Sequence, residues 1–180
     1  GAKVGRNGNT RIMMLNVLIL VLFPLAMAFA ASSDLLTMTI SNRLVLALTG
    51  SFFVLAIFAG LSWAEIGSHV LAAAVVLVGA FVCFARGWIG GGDAKIAAAI
   101  ALWFGFDQVM PYLLYASLLG GALTLVILKF RTGPLPASLS GYGWIQRLHD
   151  NNSGVPYGIA LAAAALMIYP DTVFMQKIVM

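Results

Sequence analysis

The chain has 180 residues, of which 62% are hydrophobic and only 9% are charged. Because soluble domains carry about 25% charged residues, this composition excludes an ordinary soluble domain and predicts an integral membrane protein surrounded by lipid. The net charge of +4 comes from a few basic residues scattered among apolar segments, so no nucleic-acid partner is expected. The single cysteine, Cys83, excludes an intrachain disulfide and a cysteine-based zinc site.

Apolar segments alternate along the chain with polar or glycine-containing connectors. A helix needs about 20 apolar residues to cross a bilayer, and most of these segments approach that length. We therefore predict an all-α fold, namely a single-domain polytopic membrane protein built as a bundle of six transmembrane helices. The predicted spans are residues 12–31, 44–61, 66–85, 93–106, 109–128 and 155–169.

The beginning of the chain allows two interpretations. Residues 1–11 are polar, glycine-rich and basic, and we expect them to form a flexible or interfacial tail before the first span. The same basic residues, followed by an apolar run and then by residues 28–30 (Ala-Phe-Ala), are also typical of a secretory signal peptide. After the first span, residues 32–43 are predicted to form a short amphipathic connector that carries Asp34.

The fourth span is unusually short and begins with three consecutive glycines and a carboxylate. From Ile96 to Phe106 it covers only about 16 Å, against a hydrocarbon core of about 30 Å. Asp93 is therefore expected in the first turn of this helix, near the edge of the hydrocarbon. A turn at residues 105–108 leads to the fifth span.

The connector 129–154 is the longest polar segment of the chain. Residues 133–136 (Gly-Pro-Leu-Pro) are expected to interrupt regular structure. Residues 141–149 are predicted to form a short interfacial helix before the last span.

Six spans place the connectors 32–43, 86–95 and 129–154 on one side of the membrane. The connectors on the opposite side contain no lysine or arginine, so the positive-inside rule makes the first side cytoplasmic and puts Asp34 and Asp93 there together. The three basic residues of the N-terminal tail oppose this orientation. The basic residues of the cytoplasmic connectors are Arg43, Arg86, Lys95, Lys129, Arg131 and Arg147.

Asp34 and Asp93 are two of only six acidic residues, and they lie where the membrane makes a charge costly. Two carboxylates within about 4–6 Å of each other cannot both ionise cheaply, so the pair shares a proton. The ionised partner can then activate a water while the protonated partner polarises a carbonyl, which is the chemistry of aspartic proteases. This chemistry needs neither a metal nor another cofactor.

Each of these residues also has a simpler explanation. Asp93 follows glycines at the start of a helix, as a helix-capping residue does, and Asp34 is explained equally well as a solvated connector residue. Lys95 is interpreted as an anchor at the membrane interface rather than as a partner of Asp93. The two histidines, His69 and His149, have no carboxylate or thiol at ligand spacing, so no metal site is predicted.

Three motifs, in the same order along the chain, resemble those of the type IV prepilin peptidases, a family of GxGD intramembrane aspartic proteases. Asp34, followed by Ile-Ser-Asn at residues 40–42, resembles the family's first motif, with Ser41 where proline is usual. Residues 155–160 (Val-Pro-Tyr-Gly-Ile-Ala) resemble its P-Y-G-x-A element. The GxGD signature, in its G-x-G-D-x-K form, is matched by Gly90, Gly91, Gly92, Asp93, Ala94 and Lys95.

The resemblance implies that Asp34 and Asp93 are the catalytic pair. The three glycines let a substrate backbone approach Asp93 and permit positive φ. The implied substrate is the basic leader of a prepilin or pseudopilin, cut at the cytoplasmic face of the inner membrane. The residues expected to shape the substrate site are Gly90, Gly91, Gly92, Lys95 and Asn42.

The chain is most similar to the short TadV/CpaA-like subtype, for which methyltransferase activity is not expected. An archaeal preflagellin peptidase is an alternative within the same group of proteases. A proton-coupled transporter is a further alternative, and it requires carboxylates near the bilayer midplane and internal repeats. A non-catalytic assembly subunit is the third, and in it Asp34 and Asp93 point apart.

Overall fold

The structure is a computed structural model that describes the backbone of residues 2–179 and the side chains of residues 13–14 and 16–177. All regular secondary structure within residues 2–179 is helical, which confirms the predicted all-α fold. A short 3-10 turn, Tyr169–Asp171, joins the last two helices. The helices are α1 (Ala2–Thr37), α2 (Asn42–Phe58), α3 (Trp63–Ala85), α4 (Gly91–Arg131), α5 (Gly143–His149), α6 (Tyr157–Ile168) and α7 (Val173–Val179).

Four segments in the described part of the chain are long and apolar enough to cross a membrane, whereas α2 is apolar but shorter. Large apolar side chains cover the outside of the molecule; for example, Leu46, Phe58 and Leu125 are 71%, 73% and 70% exposed. Such a surface suits lipid rather than water. The four segments are Asn16–Thr37, Trp63–Ala85, Gly91–Arg131 and Tyr157–Lys177.

Helix α1 extends beyond the predicted span 12–31 at both ends, so residues 2–11 and 32–37 are helical rather than tail and connector. Gly1 lies outside the described residues. No glycine or proline interrupts residues 32–37, and the hydroxyls of Ser32 and Thr37 donate to the carbonyls of Ala28 and Ser33, one turn earlier. As a result Asp34 lies in the last turn of α1. The helix ends where Met38 adopts a positive φ of 54°.

Helix α4 is interrupted at Gly105, whose φ of 63° and ψ of −174° are not helical. The ring of Phe104 packs against that of Tyr112 at 5.3 Å, so the chain reverses there and the first arm of α4 (residues 91–104) lies against the second arm (residues 106–131). The predicted turn at 105–108 is thus confined to one residue. Three residues before the break, the Leu102 carbonyl accepts a hydrogen bond of 2.7 Å from Nδ1 of the buried His69.

Aromatic rings fill the core at the Gly105 end of the bundle, which we call the aromatic end. Phe23 stacks on Tyr169 with ring centroids 4.3 Å apart, and Trp103 lies 5.0 Å from Phe174. The indole nitrogen of Trp103 donates to the Leu48 carbonyl at 3.0 Å. These contacts join α1, α2, α4 and the C-terminal helices.

The opposite end, which we call the carboxylate end, collects the three connectors that the sequence places on one side. Arg147 of α5 donates to the Leu36 carbonyl at the end of α1. Arg131 donates to the carbonyls of Leu148 and Gly154, at 2.7 and 2.9 Å, and so fixes the long connector to the end of α4. Helix α5 itself lies within the predicted range 141–149.

Candidate active site

Asp34 is buried against the first turn of α6. Only 5% of the Asp34 surface is exposed. Its Oδ2 atom accepts a hydrogen bond of 2.7 Å from the backbone N–H of Gly158. A Cβ atom at position 158 would lie 2.7 Å from that oxygen and 2.9 Å from the Asp34 Cβ atom. Only glycine therefore allows α6 to approach Asp34 this closely.

Asp93 is the third residue of α4 and is 8% exposed. Its Oδ2 atom accepts a hydrogen bond of 3.2 Å from the backbone N–H of Gly90. This bond satisfies a donor just before the first turn, and the position at the positive end of the helix favours an acidic side chain. The simpler explanation of Asp93 as a helix-capping residue is therefore part of its role, although Gly90 occupies the N-cap position itself.

The structure brings Asp34 and Asp93 to the same cavity, which has a volume of about 230 Å³ and which we call the carboxylate cavity. Each aspartate uses its Oδ2 atom for one backbone hydrogen bond, which leaves Oδ1 for a water or a substrate carbonyl. The lining residues are Asp34, Met38, Thr39, Ile40, Gly90, Gly91, Gly92 and Asp93.

The three glycines act differently from the expectation that they permit positive φ, because none of them has a positive φ. They allow close packing instead. A Cβ at Gly90 would lie 2.9 Å from the Asp93 carboxylate, and one at Gly92 would lie 3.3 Å from the Ile40 Cβ. Glycine at these positions therefore brings the start of α4 against the segment that follows α1, and this contact sets the width of the carboxylate cavity.

Asn42 and Lys95 lie beside the carboxylate cavity rather than in its lining. The Lys95 ammonium donates to the Asn42 Oδ1 atom at 3.0 Å, and both residues are exposed. This bond joins the start of α2 to the N-terminal part of α4, the helix that carries Asp93.

A second, larger cavity of about 630 Å³ also reaches Asp93. Its lining is mostly apolar and comes from α3, both arms of α4 and α6. Asp93 therefore stands between the carboxylate cavity and a mostly apolar one. Within the described part of the chain, no three His, Cys, Asp or Glu residues are grouped so that they could hold a metal ion.

Comparison with protein families identifies the chain. The family model of the type IV leader peptidases matches residues 21–125, which is more than half of the sequence. The chain belongs to the type IV leader peptidase family. The match confirms the family resemblance of the motifs, and the matched region includes Asp34 and Asp93. No curated protein and no solved structure matches the chain.

Gly158 is the site residue that residue-by-residue analysis of the sequence did not select. It lies 124 positions from Asp34 and outside the matched region, and no spacing rule predicts its contact with that carboxylate. The signal that points to it is the P-Y-G-x-A element, in which it is the glycine. The first turn of α6 thus contributes to the candidate site.

Proposed function

We propose that the chain is a membrane-embedded aspartic endopeptidase that removes the basic leader from Flp-type prepilins or pseudopilins. Family membership makes it a peptidase. The observation that carries the aspartic mechanism is the joint placement of Asp34 and Asp93 in one cavity. An assembly subunit with the two carboxylates pointing apart does not fit this arrangement.

The mechanism follows from two carboxylates that share one proton. The ionised carboxylate takes a proton from a water as the water oxygen bonds to the scissile carbonyl carbon. The protonated carboxyl donates to the carbonyl oxygen, which gives a tetrahedral intermediate. Collapse of this intermediate breaks the C–N bond, and the leaving amine receives a proton from the pair. The backbone N–H groups of Gly158 and Gly90 hold the two carboxyl groups in orientation throughout.

The proposed topology counts six spans, namely α1, α2, α3, the two arms of α4, and α6. Counted this way, the carboxylate end faces the cytoplasm across the inner membrane, since its connectors hold the basic residues. The contacts among these connectors support a common side. Similarity to the short TadV/CpaA-like subtype supports leader removal without N-methylation.

Two alternatives predict different arrangements or substrates. A proton-coupled transporter needs carboxylates near the bilayer midplane. Asp34 and Asp93 instead lie in the last turn of α1 and the first turn of α4. A preflagellin peptidase has the same chemistry, so comparing prepilin and preflagellin as substrates separates it from our proposal.

The test is cleavage of a Flp-type prepilin by the protein reconstituted in liposomes, followed by mass spectrometry of the product. We expect the wild type to release the leader and the Asp34→Asn and Asp93→Asn variants to release none. Asp107→Asn is the matched control, because Asp107 is exposed and does not line either cavity that contains Asp93. Leader release by either folded active-site variant would refute the proposal.

A further inference from the structure

The larger cavity has the form of a groove between two helices that present small side chains to each other. From α3 it is lined by Val76, Gly79, Ala80 and Cys83, which follow one another at the spacing of a single helix face. The second arm of α4 contributes a matching face with the same spacing. Those residues are Leu113, Ala116, Ser117, Gly120 and Gly121.

The groove is open to the outside along its length and closed beneath. Gly79, Ser117 and Gly121 are exposed, whereas Ala97 and Ala160 on the other two elements are buried. A Cβ atom at Gly79 or at Gly121 would have no other atom within 4 Å. The mouth of the groove therefore opens between α3 and the second arm of α4, on a surface that is apolar and faces lipid in our topology.

The dimensions suit one short stretch of helix. The volume of about 630 Å³ lies within the range of about 300–1,000 Å³ that ligand pockets occupy. From Leu113 to Gly121 the groove runs for about 12 Å, or about two helical turns. Between helices in lipid, small residues allow the close backbone approach on which van der Waals association depends.

The position of Asp93 indicates what fills the groove. This carboxylate lines both the groove and the carboxylate cavity. The groove and the carboxylate cavity therefore meet at Asp93, next to Asp34. A lipid acyl chain would match the apolar walls of the groove. It offers no polar group, however, to interact with the buried Asp93 carboxylate that also lines the groove.

We propose that the groove, lined by α3 and the second arm of α4, seats the first two turns of the substrate's apolar helix after the scissile bond. The substrate enters sideways from the bilayer and presents the bond to Asp34 and Asp93. This inference rests on the proposed function and assigns the site for the part of the substrate that stays in the membrane. The small residues of the groove then determine which helices fit.

The first test fills the groove without disturbing the packing. Gly79→Leu and Gly121→Leu each place a side chain in open space, and we expect each to lower kcat/KM for a Flp-type prepilin by about tenfold or more, through loss of contact with the helix. Gly50→Leu in α2 and Gly67→Leu in α3 are matched controls, since they are also exposed, have no atom within 4 Å of a Cβ and lie outside the groove. They should cleave at the wild-type rate.

The second test measures binding without cleavage. In the Asp93→Asn protein, the natural Cys83 lies in the groove, and a prepilin with a single cysteine in its apolar helix can be joined to it by oxidation of both thiols with copper phenanthroline. We expect disulfides at positions in the first two turns, with helical periodicity, and none in the Cys83→Ser control. Cross-links only to the leader, or only between two copies of the enzyme, would overturn the inference.

The two proposals fail in different ways. If both groove variants cleave as fast as the wild type while Asp93→Asn is inactive, the groove inference is wrong and the proposed function stands. If Asp93→Asn still cleaves, the proposed function is wrong, and the cross-linking pattern alone then decides whether the groove holds the substrate helix.

Discussion

The two ends of the bundle are built on opposite principles. At the aromatic end, Phe23, Phe52 and Trp103 are completely buried, and the polar atoms of Trp103 and Tyr169 donate to backbone carbonyls. At the carboxylate end, the walls are glycines, the space is left open, and two buried acids lie near each other. Tight packing at one end stabilises the fold, and the other end keeps a reactive arrangement that packing alone would not favour.

The largest effect on stability is expected when a large buried side chain is removed from the aromatic end. Trp103→Ala removes a fully buried side chain and its hydrogen bond to Leu48, so we expect a loss of about 3–5 kcal/mol in the free energy of unfolding. This loss is measured by comparing the unfolding of the wild type and the variant in a mild detergent. Trp63→Ala is the control, because Trp63 is 81% exposed and should change little. Equal stabilities of the two variants would show that the aromatic end does not hold the fold.

The carboxylate end should instead lose activity when its spacing changes. Gly158→Val places a side chain where even a Cβ atom would lie 2.7 Å from the Asp34 carboxylate, so α6 and Asp34 must separate. A displacement of about 1 Å at a reacting group can cost about 100-fold in rate, and we expect a loss of that size in prepilin cleavage.

Gly154→Ala is the matched control for Gly158, since no atom lies within 4 Å of a Cβ there. It should retain the wild-type rate of cleavage. If Gly158→Val cleaved prepilin at the wild-type rate, the first turn of α6 would not be part of the active site.

The smallest effect is expected for the bond between Asn42 and Lys95. Both side chains are exposed, so Asn42→Ala and Lys95→Met should each lower stability by at most about 1.5 kcal/mol. The cleavage rate should fall only slightly, by less than about threefold, if these residues position the helices rather than contact the reacting bond. Kinetics of the two single variants and the double variant check this, and a large fall in kcat would place them at the scissile bond.

Much of the fold follows from the sequence because apolar length and helix-breaking residues are local signals. The bounds of α2 and α3 lie within a few residues of the predicted spans 44–61 and 66–85. The polar residues after position 31 predict a connector, but α1 continues through Asp34, and the hydroxyls of Ser32 and Thr37 donate to the preceding turn. Helix α7 lies beyond the last predicted span, 155–169, because a proline directly follows that span at position 170 and proline is disfavoured inside a helix.

The site was predictable only in part, for a physical reason. Counting membrane crossings places Asp34 and Asp93 at one end, since topology needs only the number of spans. The contact of Gly158 with Asp34 depends on how closely α6 packs on α1, and no local pattern encodes that distance. The use of Gly90 and Gly92 for packing likewise became apparent only from their neighbours.

The central claim is that Asp34 and Asp93 act as one unit, and a double-mutant cycle on prepilin cleavage tests it most directly. Rates are measured for the wild type, Asp34→Asn, Asp93→Asn and the double variant, all reconstituted and shown to be folded. Residues that act as a unit are strongly non-additive, so we predict that each single variant is as inactive as the double variant. Substantial cleavage by either single variant, or rate losses that simply multiply, would contradict the account.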